Sequence, residues 1–166
     1  MVLIAGFALF TDRVVLHPQV DAAAPADAIV VLGGYGDDPL ALGLALRDQG
    51  VAPRLVVSDP YRRDDNLTTR TCADPPAGTT CFAPEPSRTI GEAEELRRLG
   101  DAEGWARVVV VTGTEHVSRA RYIVGQCWDR DIAVVAPAGA PSGLAAVGES
   151  VYQAAGFARA FLEGGC

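Results

Sequence analysis

The stretch VVVVTGTEHVSRARY, residues 108–122, runs four valines directly into Thr112, Thr114, His116, Ser118, Arg119 and Arg121. An imidazole set among hydroxyls and guanidiniums can hold an anion or move a proton, because His titrates nearer neutral pH than any other ordinary side chain. Thr114 is expected to cap the helix that follows the valines. That places His116 in the first helical turn and Arg119 one turn on, along the same face. Free backbone N–H groups and the helix dipole at such an end attract an anion and bias the imidazole toward its neutral form.

A second chemical segment is EPSRTIGEAEEL, residues 85–96. Thr89 and Glu92 match the capping box T-x-x-E, which explains both by local helix chemistry. Glu85 and Arg88 have no such local role, so Glu85 is the expected acid/base partner of His116, and Arg88 the expected companion of Arg119 in an anion clamp. The turn LGGYGDDP offers Gly33 and Gly34 for close backbone approach. It is not G-x-G-x-x-G, and Asp37 and Asp38 would repel a pyrophosphate, so a nicotinamide cofactor is not expected there. Ser58 and Asp59 end another apolar run, where Asp59 suits a ribose hydroxyl or a metal, and equally a plain turn before Pro60. These pieces lead to one expectation: Glu85, Arg88, His116 and Arg119 converge on a concavity that also touches Gly33 or Gly34.

The elements that must position them are read from short β-branched runs at 27–34, 54–58, 107–112 and 131–136. None alternates apolar with polar, which marks strands covered on both faces, as in a parallel sheet. Helical segments lie between them at 39–50, 89–100, 115–127 and 143–164. Residues 59–87 carry five prolines and should hold a short edge strand near TTCFA, preceded by a helical turn near RRDDNLT. Strands alternating with helices predict an α/β fold: a three-layer, Rossmann-like, doubly wound and mostly parallel sheet of about five strands, with helices on both faces. In such sheets ligands bind beyond the carboxyl ends of the strands, where the polar residues above fall.

Composition sets outer bounds. The 166 residues suffice for one domain, assigned to 26–166. All 14 basic residues are Arg against 21 acids, a net charge of −7. An acidic chain is a poor match for a nucleic-acid backbone, and the lack of Lys excludes a Schiff base or a Walker lysine. The opening MVLIAGFALF is uncharged and apolar but too short to span a bilayer, which takes about 20 residues. Residues 1–25 are expected to form a membrane-proximal remnant of an anchor and a Pro/Ala linker, the alternative being a helix packed on the domain. Cys72, Cys81, Cys127 and Cys166 lack zinc or redox-motif spacing, so no metal site is expected. Cys72 and Cys81 bracket a Pro/Gly-rich loop, while Cys127 ends a helix and Cys166 follows one that must pack on the same sheet. The expected pairs are therefore Cys72–Cys81 and Cys127–Cys166, which suit an oxidising compartment.

In order and spacing, DAIVVLGG, RLVVSDP, EPSRTIGEAEEL and VVVVTGTEHVSRAR resemble the YdcF/SanA/ElyC domain family over roughly residues 26–136. T-x-x-x-H-x-x-R-A is the most specific element. The resemblance implies a Rossmann-like fold, often anchored in the membrane and facing the cell exterior, with links to envelope integrity and peptidoglycan synthesis. It also implies S-adenosylmethionine as a possible cofactor. The family pattern falls on Gly33, Gly34, Ser58, Glu85, Ser87, Thr89, Glu92, Thr112, His116 and Arg119. Two departures bear on ligand identity: Ser58-Asp59-Pro60 stands where many relatives have Ser-Gly-Gly, and Ala93 stands where they have Asn. The cysteine-bearing loop resembles an actinobacterial-type branch.

Two functions of different kinds remain open on these residues. One is an extracytoplasmic, envelope-associated enzyme acting on a phosphorylated or lipid-linked cell-wall precursor, with His116 and Glu85 catalytic. The other is a non-catalytic module that binds a nucleotide-like or anionic ligand, such as S-adenosylmethionine, through the same residues. A structural domain whose polar edge only caps helices is the third reading.

Overall fold

A computed structural model of the chain describes residues 2–34, 36–61 and 66–166. Five strands form one all-parallel sheet: β1 (Ala28–Val31), β2 (Arg54–Ser58), β3 (Thr79–Phe82), β4 (Arg107–Val111) and β5 (Asp131–Val135). Their spatial order is β3-β2-β1-β4-β5. The chain steps outward from β1 to β3 on one side, then crosses over to β4 and β5 on the other. The order therefore reverses between β1 and β4.

The β-branched runs make this sheet because both of its faces are buried. Along β1, Ala28 and Val30 enter one core, with Ala93, Leu96, Val117, Ala120 and Val124 of the covering helices. Ile29 and Val31 enter the opposite core, with Leu40 and Leu46. Val108 to Val111 are wholly buried, half to each side. Each such valine is worth about 1.5–3 kcal/mol relative to exposure, which is why these runs contain no polar residue.

The helices are α1 (Val2–Phe10), α2 (Asp38–Asp48), α3 (Leu67–Ala73), α4 (Thr89–Glu103), α5 (Val117–Cys127) and α6 (Gly143–Glu163). Helices α4 and α5 cover one face of the sheet, and α2 covers the other. The expected edge strand is β3. The helical turn expected before it is α3, begun by Asn66, whose side chain accepts the Thr69 N–H; residues 62–65 of that expectation lie outside the described residues.

Both expected cysteine pairs are bonded. Cys72–Cys81 joins α3 to β3, with Cα atoms 5.6 Å apart, and Cys127–Cys166 joins the end of α5 to the chain terminus, with Cα atoms 5.0 Å apart. Two disulfides fit a location outside the reducing cytoplasm.

The stretch read as a linker runs fastened along the domain. A π-helical turn at Thr11–Leu16 buries Val15. Phe10 meets Phe157 of α6 edge-on, with ring centroids 6.3 Å apart. The Ser118 hydroxyl donates to the Val14 carbonyl at 3.0 Å. The Asp21 carboxylate accepts the Val134 N–H and Arg121, both at 2.8 Å. The physical reason is backbone left without a strand partner: Asp21 offers an acceptor at the outer edge of β5, and Asp27 accepts the Ala106 and Arg107 N–H groups where the interior strand β4 begins. Among the described residues, no helix is long and apolar enough to cross a membrane.

Candidate functional site

The reversal between β1 and β4 opens a cleft of about 850 Å³ at the carboxyl ends of the strands. Its floor is the β1–α2 turn and the β4–α5 turn. One wall is the first turn of α4 and the other is a long face of α6.

The β1 side is built on a single contact. The Gly33 N–H donates to Glu92 Oε1 at 2.6 Å. Gly33 is required there, since a Cβ would overlap the Pro60 ring. Gly91 likewise lets α4 approach, since a Cβ on it would meet the Pro86 carbonyl. Burial raises the Glu92 carboxyl to a pKa of about 6, although the Ser58 hydroxyl, the Gly33 N–H and the Arg119 charge all favour its ionised form. Ser58 is itself fully buried, its Oγ facing this carboxyl but outside ordinary hydrogen-bond geometry with any partner.

On the β4 side, His116 closes a one-turn 3-10 helix, Thr114–His116, that leads into α5. Thr112 Oγ1 lies 2.9 Å from its Nδ1, and Thr89 Oγ1 lies 3.4 Å from its Nε2. Burial, with the Arg119 charge, drives its pKa down to about 3, so the imidazole is neutral. One ring nitrogen then donates and the other accepts, and a hydroxyl can answer either. Thr114 does not cap the helix; its hydroxyl donates to the Pro137 carbonyl at 2.8 Å and pins the β5–α6 loop to the site.

Arg119 lies against α6. Its guanidinium sits 5.1 Å above the centroid of the Tyr152 ring, and a Cβ on Gly156 would overlap it. Its Nε is buried and unpartnered, and among the described residues it makes no ion pair with a carboxylate. The other arginines of the cleft are committed: Glu163 binds Arg88 at 2.6 Å and Arg159 at 2.8 Å.

Of the expected residues, Gly33, Gly34, Arg88, Thr89, Glu92, Thr112, His116 and Arg119 all line the cleft. Three do not. Glu85 lies in the bend ahead of α4 and is exposed, so it is not the partner expected for His116. Glu92, one turn inside the helix, is the buried acid of the site instead. Ser58 stands behind Glu92, and Asp59 faces away, accepting the Thr69 hydroxyl at 3.1 Å. The capping box is not formed either: Arg88 precedes α4 without a side-chain cap, and the Glu92 carboxyl accepts the Gly33 N–H just past β1 instead. Arg88 is no free clamp, being neutralised by Glu163.

Several of the lining residues not foreseen lie on α6. Glu149, Tyr152, Gln153, Gly156, Arg159 and Glu163 face the cleft. Their spacing of three or four in an otherwise Ala- and Val-rich helix was the available signal. Among the described residues, no group of His, Cys, Asp or Glu is placed to hold a metal ion.

No family model, no curated protein and no solved structure matches the chain.

Proposed function

We propose that this is an extracytoplasmic, envelope-associated binding domain that seats a small ligand carrying one anionic group in the cleft at the switch point. The observation that carries the reading is Arg119: among the described residues it is the guanidinium of the cleft that lacks a carboxylate partner, and its buried Nε has no acceptor. It stands beside the 3-10 turn and the start of α5, where backbone N–H groups favour an anion. His116, held neutral between two threonine hydroxyls, reads as a positioning and hydrogen-bonding group.

The setting follows from three supports. The disulfides suit an oxidising compartment. Helix α1 exposes Ile4 and Leu9, as a membrane-proximal segment would. The likeness of the site segments to the YdcF/SanA/ElyC family implies the cell envelope. S-adenosylmethionine, which that likeness also implies, would find room in the cleft and carboxylates to answer its positive charge.

The test is a titration of the labelled chain with propionate, followed by amide NMR. Shifts at Gly33 and along Thr114 to Arg119, abolished in Arg119→Leu, support the reading. Absence of saturable shifts there would reject it.

A second reading, turnover of a phosphorylated or lipid-linked cell-wall precursor, is favoured by Glu92, whose pKa of about 6 suits a proton-transfer group. Loss of turnover in Glu92→Gln, with retained binding, would single it out.

A further inference from the structure

The α6 wall carries a second unmet requirement. Gln153 is 1% exposed and lines the cleft, yet among the described residues its Oε1 has no hydrogen-bond partner. Its amide cannot simply be turned round, because Nε2 donates to Glu149 Oε1 at 2.6 Å and a carboxylate only accepts. Oε1 is thus fixed as the free acceptor. An orphaned buried acceptor costs about 1–3 kcal/mol, and its position in a ligand-sized cleft tells which atoms a ligand must bring.

The position relative to Arg119 narrows the chemistry. Gly156 touches the Arg119 guanidinium, and Tyr152 stacks beneath it. Gln153 lies on the same stretch of α6, three residues before Gly156, hence about one turn, or roughly 5 Å, along the helix. An orphan donor, Arg119 Nε, and an orphan acceptor, Gln153 Oε1, therefore belong to adjoining parts of one wall of the cleft. Among the described residues lining the cleft, carboxylates outnumber guanidiniums five to three, so a second anion is disfavoured and a cation welcomed.

Resting on the anion-binding reading above, we infer that Gln153 and Arg119 form a subsite for the zwitterionic head of an α-amino acid or its derivative. The carboxylate lies on Arg119. The ammonium donates to Gln153 Oε1, with the Glu149 charge behind it.

Alanine, propionate and ethylamine share one small skeleton and differ in which charges they carry. Each is titrated into the full, disulfide-bonded chain and followed by amide NMR. The subsite requires alanine to bind about tenfold or more tighter than either single-charge analogue, the usual worth of a hydrogen bond to a charged group. Gln153→Met should erase that preference, weakening alanine more than propionate, and Gln153→Glu should restore it. Equal affinities for alanine and propionate in the unmodified chain would overturn the subsite while leaving the anion site standing. Failure of both to bind at Arg119 would overturn both. The comparison among analogues needs no variant, so it decides even if Gln153→Met misfolds.

Discussion

Glu92 Oε1 accepts the Gly33 N–H at 2.6 Å across 59 residues of sequence, tying the first turn of α4 to the end of β1. The bond holds a carboxyl that burial makes costly to ionise, and the site's polar geometry is arranged around it.

The pH dependence follows from the raised pKa of Glu92, about 6 against 4.5 for the free side chain. The folded chain holds this proton more tightly than the unfolded chain. This group's contribution is therefore most favourable below about pH 4.5 and declines as pH rises to about 6. The decline is on the order of 2 kcal/mol. Glu92→Gln keeps an acceptor for Gly33 and cannot ionise, so its urea-unfolding free energy, relative to the unmodified chain, should rise across that window. A difference independent of pH would contradict the assignment.

His116 works in the opposite sense. Burial, with Arg119, lowers its pKa from 6.5 to about 3, so the unfolded chain takes up the proton first. Its contribution to stability is full above about pH 6.5 and is lost as pH falls toward 3. Imidazole NMR shifts of His116 should stay those of the neutral ring from about pH 7 down to about pH 4. His116→Gln should flatten the acid limb of the stability curve. A midpoint near 6 for this ring would show it to be solvated and mobile.

Gly156→Ala separates binding from folding. Alanine in a helix interior gains about 1 kcal/mol over glycine, but here the new Cβ lands on the Arg119 guanidinium. The side chain is flexible and can move aside. Thermal stability should change by less than about 1 kcal/mol, while propionate affinity falls about tenfold or more. Unchanged affinity would mean that the position of Arg119 does not matter.

The strands were legible because a fully buried parallel strand leaves a plain trace: Val108 to Val111 admit no polar residue. The four-residue spacing of Thr112 and His116 was legible for the same reason, since it counts from the end of such a strand. Glu92 was readable only as a local cap. Its tie to Gly33 spans 59 residues, and a pattern of neighbours cannot contain it. Glu85 failed because the course of the chain around Pro86 decides which acid turns inward. Helix α6 was foreseen as an element, but with few core residues its inward face is fixed by long-range partners, Arg119 and Arg88 among them. The segment before residue 26 read as a linker because an isolated Asp21 looks like a surface charge until the edge of β5 that it satisfies is known.

The last prediction concerns the bridge that holds the α6 wall. Cys127 ends α5 and Cys166 ends the chain, and between them Glu163 reaches Arg88 and Arg159. Those ion pairs are largely solvent-exposed, and exposed pairs contribute little. Gly165 packs tightly on Ile90, leaving no space for a Cβ, but two glycines before a terminus give almost no apolar burial. The disulfide is therefore the principal fastening of this end of α6. With a sequence separation of 39 residues it contributes about 4 kcal/mol by the chain-entropy estimate. In the double variant Cys127→Ser/Cys166→Ser, amide exchange should quicken across Ala160 to Gly164 and at Arg88, whereas β1 and β4 should stay protected wherever the fold persists. Removing Cys72 and Cys81 instead should loosen α3 and leave α6 alone. The hypothesis fails if the C-terminal end of α6 exchanges at the same rate with and without its bridge. In that case the wall of the cleft is held by packing against the N-terminal segment at Val15 and Phe10, and a Phe10→Ala variant should then show the quickened exchange.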